Sequence, residues 1–464
     1  MKITAVRTLS LSRKHEPERQ WSTATVLVPK ADAAIIIIET DEGVLGIGEA
    51  SAYGTPPRIA ERVQELSGLL IGQDPHHVDI PLPDPQTRAD AIPLAGLDCA
   101  LWDLSGKLQG KSVARLLAGD EVELPDRIRL YASAGVSYDW DQRPEQVVDE
   151  AVQWAQEGFT AFKMRLGTHW DWSGVTVDRF IDLARQVHAA AGAQMDLMLD
   201  GNCRLSEEQA LKIGQALDEI DWYWFEEPIP GADRQGYARL NEALNIPVTG
   251  GESLCDWSQI QPYVADGAYA IVQVDAGVAG LTACRQIATQ AWQEYGVPHC
   301  PHNWHNGLMT WAHAHLVAAH PSAHVRGERD LRLQASGRAP SGSWHGMLEL
   351  NRRQGPLQWE ILAQAGVDVV YQKGRCRGDT PVEHIPRPLP HWLSRTFRYC
   401  VMTGSNWTDL LFPTEIKLWT VTTLERSRGL HIGLSGYVLI SALSPPVTLA
   451  HEIGHVAGLL HRRD

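Results

Sequence analysis

Three acidic residues lie at equal spacing near the middle of the chain, each at the end of a short apolar run. Asp200 closes the segment MDLMLDGN, Glu226 lies in WYWFEEP and Glu252 lies in PVTGGE, so that successive acids are 26 positions apart. Each run has the composition of a strand and precedes a helical pattern, so one interval is about one strand–loop–helix unit. Repeated parallel units of this kind close into a barrel whose strand ends surround one mouth. The spacing therefore predicts that the three carboxylates converge.

Converging carboxylates repel one another unless a hard divalent cation lies between them. Mg²⁺ prefers oxygen ligands and keeps positions for water and for substrate oxygens. We therefore predict a Mg²⁺ site formed by Asp200, Glu226 and Glu252. The alternative is that these are unrelated loop acids, with DG forming a turn and EEP opening a helix. Any one acid alone would favour that interpretation, whereas the regular set favours the metal site.

The composition of the whole chain is that of a soluble globular protein of more than one domain. It has 464 residues, of which 44% are hydrophobic and 21% are charged, and its formal net charge is −15. Because this charge disfavours contact with phosphate backbones and anionic lipids, we expect neither nucleic acid nor a membrane as a partner. The 7 cysteines are scattered and include no C-x-x-C pair, which is typical of reduced thiols. No signal peptide is recognisable, so we expect a cytoplasmic location.

Residues 1–125 are predicted to form an α+β domain of their own. The segment ADAAIIIIETDEGVLGIGEAS contains two strand runs around TDEG, where Gly43 provides the turn geometry of a hairpin. Two helical patterns follow, and each ends at a glycine. Because a hairpin followed by helices does not continue into a parallel barrel, this region should be a separate unit.

Strand and helix patterns alternate from residue 126 to residue 362. Eight strand candidates follow one another, namely RIRLYASAG, AFKMRLG, MDLMLDGN, WYWFEEP, PVTGGE, AIVQVDAG, VPHCPHN and MLEL. Eight is the number of strands in a (β/α)₈ barrel. One intervening helix opens with Ser206 and Gln209 at capping-box spacing. We therefore predict an α/β fold, with a (β/α)₈-type barrel over residues 126–362.

Taken together, these motifs resemble the enolase superfamily, and within it the mandelate racemase subgroup, over residues 1–362. The resemblance rests on ALWDLSGKLQG in the first domain, FKMRLG on the second barrel strand, the three acids, and QVDAG with GVPHCPHNW further on. It implies that residues 1–125 cap the barrel, that one Mg²⁺ binds the three acids, and that a proton next to a carboxylate is removed. Relatives of this kind also suggest a homo-oligomer.

The resemblance also assigns the groups that move the proton. It makes His302 and Asp275 a general acid/base dyad, in which the aspartate orients the imidazole and raises its basicity. The alternative for His302 is an ordinary core or loop histidine. Lys163 and Arg165 lie two positions apart on one strand, so both side chains should point into the barrel. The family commonly has a second lysine where this chain has Arg165; because arginine stays protonated, we assign it to charge stabilisation or substrate anchoring.

With one competent histidine and no second lysine, loss of a β-hydroxyl as water needs fewer catalytic groups than racemisation by two bases. We therefore predict a hydro-lyase that dehydrates a sugar acid to a 2-keto-3-deoxy acid. The alternative is racemisation or epimerisation of an α-hydroxy acid.

Asn202 is a predicted contact of this small carboxylate substrate. Glu349 is another, on the assumption that the polar insertion at residues 326–347, a surface loop or an unremoved intron, interrupts the family's eighth strand.

Residues 363–464 do not continue the enolase pattern and form an atypical C-terminal segment. It contains HEIGHVAGLLH, which resembles the zinc motif of metzincin proteases. Its three histidines are predicted zinc ligands and its glutamate a general base: His451, His455 and His461, with Glu452 as the base. A Zn²⁺ metalloprotease is therefore an alternative function of another class. Because the chain provides no room for the methionine turn of that family, an amphipathic terminal helix is the competing interpretation.

Overall fold

The structure is a computed structural model, and it describes ten stretches of the chain and four further short strands. The stretches are residues 1–14, 21–22, 27–50, 55–76, 82–85, 87–125, 127–135, 143–166, 175–320 and 347–351. The predicted zinc ligands His451, His455 and His461, the base Glu452, and residues 326–346 of the predicted insertion lie outside the described residues. Within the described stretches, no helix combines the length and the apolar character needed to cross a lipid bilayer.

The first domain pairs an antiparallel sheet with helices. Its strands are β1 (Ile3–Lys14), β2 (Trp21–Ser22), β3 (Leu27–Val28), β4 (Lys30–Thr40) and β5 (Leu45–Ala50), and its helices are α1 (Pro56–Leu70), α2 (Arg88–Gln109) and α3 (Val113–Ala118). Strand β4 lies between β1 and β5, and both pairings are antiparallel. Gly43 adopts φ +78° in the connection from β4 to β5, which confirms the predicted hairpin. The second predicted helical pattern is divided, because Gly110 ends α2 at φ +62° and Ser112 caps α3.

The run of four isoleucines in β4 explains how the first domain attaches to the second. Successive side chains of a strand point to opposite faces. Ile36 and Ile38 are packed with the buried residues of α1 and α2, whereas Ile35 and Ile37 belong to the core that includes the barrel residues. Because both faces of β4 are buried, the strand is a continuous β-branched run rather than an alternating one.

The second domain is built from strands that alternate with helices. Its strands are β6 (Arg127–Ser133), β7 (Ala161–Arg165), β8 (Asp196–Asp200), β9 (Trp224–Glu226), β10 (Val248–Gly250), β11 (Ile271–Val272) and β12 (Met347–Asn351). Its helices are α4 (Gln146–Gln156), α5 (Val177–Ala191), α6 (Glu207–Glu219), α7 (Arg234–Ala243), α8 (Trp257–Ala265), α9 (Ala276–Tyr295) and α10 (Gly307–Ala319). Strands β6 to β11 are parallel neighbours in chain order, and β12 pairs in parallel with β6. The predicted α/β barrel with an N-terminal α+β domain is confirmed, as is the capping box of Ser206 and Gln209 at the start of α6.

The seventh predicted barrel strand is wrong in its length. The segment VPHCPHN contributes only a single parallel bridge, between His299 and Val272, instead of a strand. Two backbone hydrogen bonds support it, from Val272 N–H to the Pro298 carbonyl and from Cys300 N–H to the Val272 carbonyl, both 2.9 Å. Pro298 has no N–H to donate, so the ladder does not extend toward the start of this segment. On the other side, His302 N–H donates to the Gln273 carbonyl at 3.3 Å without forming a second bridge.

Four short strands are described beyond the barrel. They are β13 (Val370–Tyr371), β14 (Glu415–Val421), β15 (His431–Gly433) and β16 (Tyr437–Ser441). Strand β14 pairs antiparallel with the start of β6 and parallel with β16. The predicted limits of the three regions, residues 1–125, 126–362 and 363–464, stay predictions.

The two domains are joined by hydrogen bonds between α2 and α9. Thr282 donates its backbone N–H to Asp98 Oδ2 at 3.0 Å, and its hydroxyl donates to Asp98 Oδ1. The same hydroxyl accepts a hydrogen bond of 2.9 Å from Trp102 Nε1. Burial raises the pKa of Asp98, although the hydrogen bonds from Thr282 act in the opposite direction. These bonds fix the start of α9, which follows the predicted catalytic Asp275.

Gly280 makes this contact geometrically possible, and its replacement provides the first prediction. Gly280 interrupts α9 at φ +83°, and an added Cβ would lie 2.9 Å from Asp98 Oδ2. We expect Gly280→Ala to lower the free energy of unfolding by about 1–3 kcal/mol, as measured by urea denaturation, because a side chain is strained at this φ. The matched control is Gly68→Ala in α1, where nothing lies within 4 Å of the added Cβ; it should be neutral or stabilising by about 0.5–1 kcal/mol. Equal stability of the two variants would contradict the prediction.

Candidate functional site

The three predicted metal-binding acids lie at the carboxyl ends of neighbouring strands. Asp200 ends β8 and Glu226 ends β9, and their Cα atoms are direct partners in the parallel pairing. Glu252 follows β10 after Gly251, which adopts φ +108°. Asp200 and Glu226 are each 1% exposed. Because paired positions of parallel strands face the same side of a sheet, Asp200 and Glu226 present their carboxylates together.

The electrostatics at these strand ends reflect several crowded negative charges. Burial, followed by the charges of Glu252 and Asp200, raises the pKa of the adjacent Glu227 well above its ordinary value. Burial also raises the pKa of the Cys203 thiol, and the charges of Glu227, Glu252 and Asp200 contribute. Neighbouring carboxylates favour protonation or a bound cation. Among the described residues, however, Asp200, Glu226 and Glu252 are not a group whose ligand atoms all lie within 4.8 Å of one another. A donor set made only of carboxylate oxygens fits a hard ion such as Mg²⁺.

Glu226 is held by a hydrogen bond at each carboxylate oxygen. Lys163 Nζ donates to Oε1 at 2.7 Å, and Gln273 Nε2 donates to Oε2 at 2.7 Å. The amide oxygen of Gln273 in turn accepts a hydrogen bond from Thr249 Oγ1. Lys163 is fully buried, so its ammonium is paired with Glu226 in a site that excludes water. Gln273 was not among the predicted site residues, although it lies within the QVDAG motif.

Arg165 points into the barrel from the same strand as Lys163. Its guanidinium carbon lies 3.9 Å from the centroid of the Trp304 ring, and its Nε lies 3.5 Å from Asp200 Oδ2. Arg165 is 9% exposed and Trp304 is 3% exposed. Stacking on an indole and pairing with a carboxylate both hold a guanidinium that stays protonated. The arrangement therefore fixes a positive charge beside the acids, and Trp304 is a partner that the sequence did not reveal.

His302 lies between two carboxylates. Its Nδ1 is 2.7 Å from Asp275 Oδ2, and its Nε2 is 3.1 Å from Glu252 Oε2. Burial would raise the pKa of Asp275, but the charge of His305 and the hydrogen bonds from His302 and His305 hold it well below its ordinary value. An ionised Asp275 keeps the proton of His302 on Nδ1. The other ring nitrogen, Nε2, faces Glu252.

Two further histidines contact Asp275, and neither was predicted as a site residue. His305 Nε2 lies 2.7 Å from Oδ1 and 2.6 Å from Oδ2 of Asp275. His313 Nε2 lies 3.3 Å from Oδ1, but it accepts the Ala276 N–H at 2.9 Å while its Nδ1 lies 2.9 Å from the Met309 carbonyl. These partners place the proton of His313 on Nδ1. A cluster of histidines in HCPHNWH and after it was the only sequence signal for this arrangement.

Asp275, His302 and His305 together offer ligand atoms within 4.8 Å of one another. Nitrogen–oxygen distances of 2.6–2.7 Å between these groups are those of charge-assisted hydrogen bonds. In such bonds the ring N–H points at the carboxylate, so the same nitrogen has no lone pair to give to a metal. We therefore interpret this group as a hydrogen-bonded acid/base cluster rather than a metal centre.

The two predicted substrate contacts have different surroundings. Asn202, at φ +47°, donates its backbone N–H and its side-chain amide to the two oxygens of Asp200, each at 2.8 Å. Its amide thus orients the acid in this structure, and a contact with substrate stays a prediction. The backbone of Glu349 lies in β12 opposite Tyr131 of β6. The side chain of Glu349 lies outside the described part of the structure.

Because of three other buried histidines, we expect the folded state to lose stability in mild acid. Burial lowers the pKa of His299 to about 3, and those of His315 and His320 to about 4. In the unfolded chain a histidine has a pKa of about 6.5, so the unfolded state binds more protons between about pH 6.5 and pH 4. The stabilisation is complete above about pH 6.5 and falls as the pH drops, by about 1.4 kcal/mol per pH unit per group.

In this pH window we expect His315→Leu to reduce the slope of unfolding free energy against pH by about 1.4 kcal/mol per pH unit. This is the contribution of one histidine that binds a proton only in the unfolded state. Urea denaturation between about pH 4.5 and 7.5 measures the slope, with the partly exposed His76→Leu as control. Burial raises the pKa values of Glu49 and Asp98, which act in the opposite direction. The comparison of variants, rather than the total slope, is therefore the test, and an unchanged slope in His315→Leu would contradict the prediction.

Comparison with known families matches both domains. Residues 3–118 match the description "Mandelate racemase / muconate lactonizing enzyme, N-terminal domain". Residues 146–341 match the description "Enolase C-terminal domain-like". The two matches cover the N-terminal α+β domain and the segments that carry the acids and the histidines.

Comparison with individual proteins gives similar sugar-acid and sugar-lactone enzymes. D-galactarolactone cycloisomerase of Agrobacterium fabrum (strain C58 / ATCC 33970) is 33% identical over 328 residues, which are 69% of this chain and 83% of that protein. D-galactonate dehydratase of Verminephrobacter eiseniae (strain EF01-2) is 33% identical over 279 residues, 57% of this chain and 70% of that protein. The crystal structure of the 3,6-anhydro-D-galactonate cycloisomerase from Zobellia galactanivorans has the same fold, with a TM-score of 0.62, 24% identity, and coverage of 77% of this chain and 89% of that chain.

Proposed function

This chain belongs to the enolase superfamily, within the mandelate racemase and muconate lactonizing enzyme group, and from that premise we propose that it dehydrates a sugar acid to a 2-keto-3-deoxy acid. The observation that carries the proposal is the position of His302, whose Nδ1 is 2.7 Å from Asp275 and whose Nε2 faces Glu252 at 3.1 Å. A base held in one tautomer beside a cluster of acids is suited to removing a proton next to a carboxylate.

Asp200, Glu226 and Glu252 would hold one Mg²⁺, in keeping with their oxygen donors and their crowded charges. When bound, the ion supplies a Lewis acid for the substrate carboxylate. Lys163 and Arg165 place two further positive charges at the end of β7, where they would stabilise the negative charge of the enediolate. The cation–π contact with Trp304 fixes the position of the Arg165 guanidinium.

His302 would perform both proton transfers of the dehydration. Nε2 accepts the α-proton, and the electron pair of the broken C–H bond forms the enediolate. The imidazolium then returns a proton to the β-hydroxyl, which leaves as water as the C–O bond breaks. The resulting enol loses the proton of its 2-hydroxyl group and gains one at carbon 3, which gives the 2-keto-3-deoxy acid with no net change in protons. Because Arg165 cannot accept a proton, one base serves the whole sequence, which favours elimination over racemisation by two bases.

A second function is favoured by the relative named D-galactarolactone cycloisomerase, of which this chain spans 83%. In an isomerisation of this class, the leaving oxygen would belong to the ring of the lactone instead of departing as water. Removal of the α-proton by His302 would be common to both reactions. The site geometry therefore supports either product, and the substrate offered to the enzyme decides between them.

The test is a screen of the purified protein with Mg²⁺ against mono- and diacid sugars and their lactones. Release of 2-keto acid from an acid sugar would support the dehydratase, and conversion of a lactone alone would support the cycloisomerase. A parallel reaction in D₂O detects α-proton exchange, and exchange without keto acid would point to a racemase or epimerase. Removal of Mg²⁺ with EDTA should abolish turnover, and added Mg²⁺ should restore it. No turnover and no exchange, in folded protein with Mg²⁺, would contradict both proposals.

The metalloprotease alternative is tested separately, because its residues lie outside the described part of the chain. Glu452→Gln should leave sugar-acid turnover unchanged if the barrel site carries the activity. Loss of turnover in this variant would argue against the barrel site alone. Zinc binding by His451, His455 and His461 stays a prediction.

We further propose that the enzyme acts as a homo-oligomer in the cytoplasm, where its scattered thiols would stay reduced.

A further inference from the structure

We propose that His305 is a positioning residue. Its hydrogen bonds hold the Asp275 carboxylate in one orientation, and Asp275 in turn keeps the proton of His302 on Nδ1, so that Nε2 can accept a proton. Glu49 of the N-terminal domain accepts hydrogen bonds from Asn306 and Met309, directly after the loop on which His302 and His305 lie. This inference rests on the proposed role of His302 as the base. It extends that function by identifying which buried groups outside the dyad keep the base oriented.

The groups form an alternating series of acids and imidazoles that runs from the N-terminal domain to the strand-end acids. In order, the series is Glu49, His305, Asp275, His302 and Glu252. The first four members are at most 2% exposed. A buried carboxylate is costly unless a donor or a positive charge lies next to it. Asp275 therefore has an imidazole on each side, and the charge of His305 also lowers the pKa of Glu49.

His305 gives Asp275 a further hydrogen-bond donor, and this donor contacts both carboxylate oxygens. Rotation about the Cβ–Cγ bond of an aspartate has a broad energy minimum, so each added donor narrows the orientation of the carboxylate. Asp275 accepts hydrogen bonds from Gly277 N–H at Oδ1 and from His302 Nδ1 at Oδ2, each 2.7 Å. His305 Nε2 lies within 2.7 Å of both oxygens and bridges them. His313 does not replace it, because its Nε2 is already an acceptor.

The fit of His305 against Asp275 depends on the absence of a side chain at Gly277. A Cβ at this position would lie 2.5 Å from His305 Nε2 and 2.8 Å from its Cε1. The backbone of α9 therefore leaves room for the imidazole at the point where it meets the carboxylate.

Glu49 connects this cluster to the N-terminal domain. Its carboxylate accepts hydrogen bonds from the backbone N–H groups of Asn306, at 3.0 Å, and Met309, at 3.2 Å, in the first turn of α10. The side chain of Asn306 makes no capping bond to the helix and donates to the Asp32 carbonyl instead. Glu49 thus takes the place of the N-cap side chain, 257 positions away in sequence. Burial raises the pKa of Glu49, while the charge of His305 and these donors lower it.

The experiment compares His305→Leu with His305→Gln, since glutamine can place an N–H donor close to the position of Nε2. We expect His305→Leu to lower kcat by about 10–100-fold, the usual effect of removing a partner that orients a catalytic group, with KM changed by less than about threefold. His305→Gln should recover most of the lost kcat. Failure of glutamine to recover kcat, or wild-type kcat in the leucine variant, would overturn the proposal.

His315→Leu is the matched control, because it also removes a buried imidazole near α10. His315 Nδ1 accepts from the Ala114 N–H at 3.4 Å and lies on a different side of the helix from the Asp275 cluster. We expect this variant to lose stability and to keep wild-type kcat. Equal losses of kcat in His315→Leu and His305→Leu would show a merely structural effect and would overturn the proposal.

A second measurement does not depend on turnover. In protein labelled with ¹⁵N at histidine, long-range ¹H–¹⁵N correlation reports which ring nitrogen of His302 carries the proton, with His302→Asn identifying the signal. We expect the proton on Nδ1 in the wild type and His305→Gln, and a mixture of tautomers in His305→Leu. An unchanged tautomer in His305→Leu would overturn the proposal. If the wild type turns over no substrate but its tautomer shifts as expected, the proposed reaction fails while the positioning role stands.

Discussion

His302→Asn is expected to lower kcat by about 10²–10⁴-fold, which is the usual contribution of a general acid/base group. Asparagine keeps a donor near the position of Nδ1, so the hydrogen bond to Asp275, 2.7 Å long in the structure, has a replacement. The change removes Nε2, the nitrogen that faces Glu252. The variant should therefore fold and bind Mg²⁺ while losing both keto-acid release and deuterium exchange at the α-carbon.

The control for this prediction is His299→Asn. His299 is buried in the same loop, but its Nε2 lies 3.2 Å from the Val274 carbonyl rather than next to an acid. It should lose stability and keep kcat within a few-fold of wild type. If His302→Asn still exchanged the α-proton at the wild-type rate, the base would have to be another group, and Lys163 would be the first to examine.

Glu226→Gln is expected to have the second largest effect, because the same carboxylate has two functions. It is a proposed Mg²⁺ ligand, and it is the partner of the fully buried Lys163 ammonium at 2.7 Å. Removing one member of a buried ion pair leaves an uncompensated charge and costs about 3–5 kcal/mol of unfolding free energy. Urea denaturation should show this loss, and calorimetric titration should show weaker Mg²⁺ binding.

Two further variants separate the two functions of Glu226. In the double variant Glu226→Gln/Lys163→Met the uncompensated charge is gone, so stability should recover while Mg²⁺ binding and turnover stay lost. Glu207→Gln is the control for removing an ion pair at the surface, where Glu207 and Arg239 lie 2.6 Å apart; it should cost less than about 1 kcal/mol. Wild-type Mg²⁺ affinity in Glu226→Gln would argue against the proposed metal site.

The sequence by itself determined the barrel, its N-terminal domain and the position of the acids. Strand–helix units of similar length repeat along the chain, so the equal spacing places Asp200 and Glu226 at paired strand ends and Glu252 just beyond the next strand. Local signals also determined the hairpin at Gly43 and the capping box at Ser206, because both depend on residues within a few positions of each other. The single bridge at His299 replaced an expected strand, since an apolar pattern does not show that Pro298 lacks the N–H that a longer ladder would need.

Only the tertiary structure decided which groups contact the proposed acid/base residues. Glu49 caps α10, His305 bridges the oxygens of Asp275, and Trp304 stacks on Arg165, and none of these pairings follows from a periodic pattern. A hydrogen bond between side chains far apart in sequence depends on how the two domains pack, because any buried carboxylate could in principle cap any nearby helix. The spacing of residues thus determined where the proposed site lies, and the packing of the domains determined which partners hold its side chains.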